Sequence, residues 1–144
     1  QEVLNAQAVV FFKLIDDIRH MNMSPLTKLR HYVDALSKIQ ETNPESIPLI
    51  CRELLAPQPI FEKFVKNKLY ALHQFMTELV EQAIECKEIH TDIKPTHVAF
   101  TIESTIMFFF LTQHQVQELG NYAPGEQGIY LTQVLETYLA SLSK

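Results

Sequence analysis

Residues 98–111 read Val-Ala-Phe-Thr-Ile-Glu-Ser-Thr-Ile-Met-Phe-Phe-Phe-Leu. Pro95 opens the segment and no glycine follows until Gly120, so it reads as one helix over about Pro95–Leu119. Each helical residue turns by about 100°, so Phe108-Phe109-Phe110 sweep about 200° of circumference. A surface helix usually hides an apolar stripe little more than ~100° wide. This helix therefore carries more apolar surface than a single neighbour covers. It calls for a second subunit, an internal cavity, or both.

Working outward, helical spacing continues on both sides and strand-like alternation is absent, so the fold class is all-α, an antiparallel bundle of about six helices. The first helix covers about Glu2–His20, with Leu4, Phe11, Leu14, Ile15 and Ile18 on one side. Ser24 can cap a second helix that has Pro25 in its first turn, where a missing N–H costs nothing, and Leu26, Leu29, Val33, Leu36 and Ile39 form its stripe. Asn43-Pro44 repeats that signal, but Pro48 places the regular start of the third helix nearer Ser46, with its end near Leu55. A long helix is expected over about Pro59–Lys87, a turn over Glu88–Lys94, and a last helix after Gly128 carrying Leu131, Val134, Leu135, Tyr138, Leu139 and Leu142.

The chain has 144 residues, 47% of them hydrophobic and 20% charged, which suits one domain, 1–144, with a real core. A net charge of −5 argues against this segment gripping a phosphate backbone itself. Two cysteines make no disulfide framework, and with no signal peptide or membrane-length span the expected setting is cytoplasmic. The first residue is Gln1 and helical pattern begins at once. The expectation is a piece of a longer protein, with a further segment on its N-terminal side.

Catalytic chemistry is poorly supported. No Glu is followed three residues later by His, there is no HExxH or CxxC, and Gly120, Gly125 and Gly128 fall in one late loop rather than a phosphate cradle. The six histidines show no metal spacing. The expectation is a non-enzyme without metal or cofactor. Glu103 is the sharpest polar feature, because a carboxylate inside an apolar helix must be paired, hydrogen-bonded or protonated. It reads either as half of a salt bridge or cross-subunit hydrogen bond, or as a polar anchor for a ligand. His73, Cys51 and Tyr32 each read first as packed core groups and second as ligand contacts. The phenylalanines spread over several helices form either a core or a cavity wall, since both are written with the same residues.

The order of these signals resembles the C-terminal regulatory domain of TetR-family transcriptional regulators. It is carried by Ser24-Pro25-Leu26 with Lys28-Leu29, by Arg52-Glu53-Leu54-Leu55, and by the run Glu85-Cys86-Lys87-Glu88-Ile89-His90-Thr91-Asp92-Ile93-Lys94-Pro95-Thr96 ahead of the apolar helix. In that family this turn precedes the first dimer helix. Lys87 stands where glycine is common, His90 where arginine is common, and Lys94 where a capping Asp is expected. The resemblance implies a homodimer in which the last two helices pair with their copies as a four-helix bundle through Thr105, Phe109, Thr112, Val116, Leu131, Val134, Leu135, Tyr138 and Leu142. It also implies a cavity for a small apolar effector lined by Phe11, Ile15, Tyr32, Cys51, Phe61, Phe64, His73, Met76, Phe100, Glu103, Ser104, Met107 and Phe108. DNA would be touched only through an N-terminal helix-turn-helix head absent from these residues, whose spacing the effector alters, as in a repressor. The competing reading is a helical interaction and dimerisation module with a solid core and no small-molecule site.

Overall fold

The computed structural model describes residues 2–142, with side-chain surroundings for residues 9–142 apart from Phe61 and Phe64. Six α-helices follow one another: α1 (Glu2–Arg19), α2 (Pro25–Thr42), α3 (Ser46–Leu55), α4 (Glu62–Glu85), α5 (Pro95–Leu119) and α6 (Gly128–Ser141). No strand occurs among the described residues. The fold is all-α, as expected. The long fourth helix differs at both ends. Pro57 and Pro59 force a tight 3-10 turn at Pro59–Phe61 before α4 begins at Glu62, and α4 stops at Glu85 rather than Lys87.

The helix boundaries follow local chemistry. Ser24 is extended and its hydroxyl accepts from the Thr27 N–H at 3.3 Å, with Pro25 in the first turn of α2. Pro48 lies in the first turn of α3, where its missing N–H is one of the unpaired donors anyway. Lys94 supplies no side-chain cap to α5, and Pro95 starts that helix by its fixed φ alone. At the end of α4, Lys87 adopts φ +61°, the left-handed conformation, so that the Glu88 N–H reaches back to the Ala83 carbonyl at 2.9 Å. Glycine would adopt this conformation without strain.

The core runs through all six helices. Phe75, Ile18, Leu36, Met76, Ile102, Leu131 and Val98 are its most deeply buried large side chains. α5 is sheathed by α3 and α4 on its inner sides and touches α6 near its C-terminal half. Arg30 of α2 grips Glu136 of α6 through both carboxylate oxygens, at 2.7 and 3.2 Å, and the His90 N–H donates to the Leu142 carbonyl. These contacts fix α6 against the rest. α5 itself is not straight. Thr112 has φ −123° and ψ 18°, and its hydroxyl donates to the Phe108 carbonyl at 2.7 Å, taking a place in the ladder that a backbone donor would fill.

The left-handed strain at Lys87 gives a direct prediction. A left-handed non-glycine residue costs about 1–2 kcal/mol, part of which glycine returns as unfolded-state entropy. Lys87→Gly should therefore raise stability by up to about 1 kcal/mol, or roughly 2–4 °C in Tm by calorimetry. A loss of stability would show that the Lys87 side chain matters more than its backbone.

Candidate functional site

Beneath α5 lies a cavity of about 240 Å³, bounded by α1, α2, α3 and α4. Its wall is Phe11, Tyr32, Leu36, Ile47, Ile50, Cys51, Leu54, Leu69, Leu72, Met76, Phe100, Glu103, Ser104, Ile106 and Met107. The void has the volume of roughly eight waters, and its wall is mostly apolar, with polar atoms only on Tyr32, Cys51, Glu103 and Ser104. Phe11 edges against Tyr32, and Tyr32 against Phe75, so an aromatic chain runs from α1 to α4 along one side. A second recess of about 430 Å³ between α1, α2 and α3 shares Phe11, Ile47 and Ile50 with the first.

Of the residues expected to line an effector cavity, Phe11, Tyr32, Cys51, Met76, Phe100, Glu103, Ser104 and Met107 are brought together here. Ile15 is buried in the core but does not reach the void. His73 stands behind Glu103 rather than on the wall. Phe108 points away: it is 69% exposed on the outer side of α5. The side chains of Phe61 and Phe64 lie outside the described residues. Leu36, Ile47, Ile50, Leu54, Leu69, Leu72 and Ile106 also form the wall. They sit on the apolar stripes of their helices, and only the three-dimensional gap between stripes makes them wall rather than core.

Glu103 is the single acidic or basic side chain on that wall. It is accepted into the apolar surroundings by His73, whose Nδ1–H donates to both carboxylate oxygens, at 3.0 and 3.1 Å. The acceptor-only carboxylate fixes that hydrogen on Nδ1. The Thr96 hydroxyl lies 2.7 Å from Nε2, and the Phe100 ring stacks on the imidazole at a centroid distance of 4.2 Å. Burial raises the Glu103 carboxyl above its ordinary value, while the hydrogen bond from His73 pulls the other way. Burial likewise raises the Tyr32 hydroxyl, with the nearby Cys51 and Glu103 adding to it. The Cys51 thiol is pushed up to about 11 by burial, against a smaller opposing pull from Arg52.

On the outer side, a groove of about 330 Å³ between α5 and α6 is lined by Ser104, Thr105, Phe108, Phe109, Thr112, Val116, Tyr130 and Val134. It gathers Thr105, Phe109, Thr112, Val116 and Val134 of the residues expected at a subunit interface. Leu131, Leu135 and Leu142 instead face inward and are buried by their own chain, and Tyr138 packs half-buried against that core. Phe109 is also mostly covered by its own chain, at 4% exposure, and only touches the groove.

Two predictions follow from these protonation shifts. A thiol near 11 is thiolate-poor at neutral pH, so Cys51 should react with a maleimide at least about a hundredfold more slowly than exposed Cys86. Peptide mapping after brief labelling checks it, and equal labelling would contradict the burial of Cys51. For Glu103 the folded carboxyl binds its proton more tightly than the unfolded one. Its contribution is complete below the unfolded value of about 4.3 and is lost as pH rises through the raised folded value. Glu103→Gln should thus gain stability relative to the parent as pH rises from about 4 toward neutrality, read by urea unfolding at each pH.

No curated protein matches the chain. Among family models, the TetR C-terminal one described as "YcdC-like protein, C-terminal region" matches residues 10–137. That span runs from the middle of α1 through most of α6, and so takes in the cavity, the Glu103–His73 pair and the outer groove together. The chain belongs to the TetR family, as a C-terminal domain of the YcdC-like kind.

Proposed function

We propose that this domain is the effector-sensing and dimerising part of a TetR-family repressor, acting on DNA through a helix-turn-helix head on the N-terminal side of α1. The observation that carries this reading is the largely apolar cavity of about 240 Å³ walled by five helices of the domain. Protein interiors rarely leave such a void unless something fills it. The competing interaction module predicts a solid core, which the cavity disfavours. The outer groove, with Phe108 exposed beside it, supplies a self-complementary face for a second copy across a two-fold axis.

Coupling to DNA runs through α1. Phe11 belongs to the wall of the cavity and of the neighbouring recess, so a ligand pressing on it moves the helix that leads toward the head. Such coupling is on the order of 1–3 kcal/mol, enough to release an operator, provided the ligand prefers one of the two states.

The test is cavity filling. Neutral aromatic alcohols at a hundredfold excess over Kd should stabilise the domain by about 2.7 kcal/mol, or roughly 5–10 °C in Tm. Met107→Trp should fill the void, keep or raise Tm, and weaken that binding at least tenfold. No shift across the panel, or undiminished binding by the tryptophan variant, would overturn the assignment.

A further inference from the structure

We propose that the ligand of this cavity is an organic ammonium: a compact apolar body carrying one positive charge, seated against the Glu103 carboxylate and the Phe100 ring. This rests on the reading of the cavity as an effector site and names the chemistry that site selects.

Charge on the wall discriminates between ligands. No lysine or arginine lies on the wall, and Glu103 is its one acidic side chain. A carboxylate in apolar surroundings gains most from a partner of opposite sign. His73 meets only part of that need. It gives one N–H, shared between the two oxygens, whereas an ionised carboxylate can accept about four hydrogen bonds. Among the described residues no other side chain hydrogen-bonds Glu103. Accepting capacity is therefore left on a side chain that also borders the void. An anionic ligand would meet this carboxylate with no cation on the wall to offset it.

The second observation is the ring beside it. Phe100 stacks on His73 and borders the cavity at its half-exposed rim, so an aromatic ring stands beside the carboxylate. A cation gains from an aromatic face even at a half-exposed ring such as Phe100, where a neutral hydroxyl gains little. Apart from Tyr32, Cys51 and Ser104, the remaining wall, from Phe11 and Leu36 to Leu72 and Met76, offers apolar surface for the body of the ligand. His73 is then a positioning residue: held by Thr96 and Phe100, it fixes the rotamer of Glu103 and leaves the carboxylate turned to the void.

Three probes of matched shape decide it: phenylbutylamine, phenylbutanol and phenylbutyrate, titrated calorimetrically at neutral pH. The ammonium should bind at least tenfold more tightly than the alcohol, and the carboxylate should bind weakest. In Glu103→Gln the ammonium should fall to the level of the alcohol, whose own affinity changes less than threefold. The ranking on the parent protein stands without the variant, should that fold poorly. A carboxylate that binds as well as the ammonium overturns the proposal while leaving the effector cavity intact, as does an ammonium preference that survives Glu103→Gln. Failure of all three probes, the neutral alcohol included, overturns the effector reading itself.

Discussion

The structure depends on a helix that is apolar on nearly every side. α5 cannot face water on a broad front, so α3, α4 and α6 pack around it. α3 and α4 bury Val98, Ala99, Ile102, Ile106 and Phe110. α6 covers Phe109, with the Tyr130 ring stacked at 6.2 Å. Two aromatic residues are left over: Phe108 at 69% and Phe100 at 56% exposure. Phe108 borders the outer groove, whereas Phe100 stands at the rim of the inner cavity, partly open to water. Full burial of a phenylalanine is worth about 1.5–3 kcal/mol, and two-fold symmetry would count each gain twice.

A second tension is polar. Glu103 stands within the apolar run of α5 and costs stability by its burial, which His73, itself held by Thr96 and Phe100, partly offsets. A leucine there would pack with less cost. Proteins keep such groups where they serve a purpose other than stability, and strain of this kind concentrates at functional sites. The cavity alongside adds to the same cost, because wall atoms lack packing partners on one side. Void and carboxylate thus put two costs to stability in one region of the molecule.

Much of this was legible in the sequence, for identifiable reasons. Ser24-Pro25 marks the start of α2 because capping chemistry is local, and Pro48 locates α3 because proline tolerates only the first helical turn. The excess of apolar surface on α5 follows from three adjacent phenylalanines alone. What the sequence left open is which of the three would face outward. Angular spacing fixes their relative directions but not the rotation of the helix, so Phe108 was expected in the cavity and stands outside it. The partners of Glu103 and Arg30 were also hidden, because His73 and Glu136 lie 30 and 106 residues away along the chain. Leu131, Leu135 and Leu142, expected against a partner, face their own core: α6 is pinned to α2 by Arg30–Glu136, which fixes its rotation. The kink at Thr112 is a competition between a hydroxyl and the backbone that periodicity does not register.

The exposed Phe108 on the outer face of α5 calls for a second copy of the chain to cover it. Sedimentation equilibrium at micromolar concentration tests it most directly. The account predicts a mass twice the 16.7 kDa of one chain, falling to a single chain when Phe108 is changed to Asp. A parent protein that sediments at 16.7 kDa, with Phe108 open to water, would contradict it.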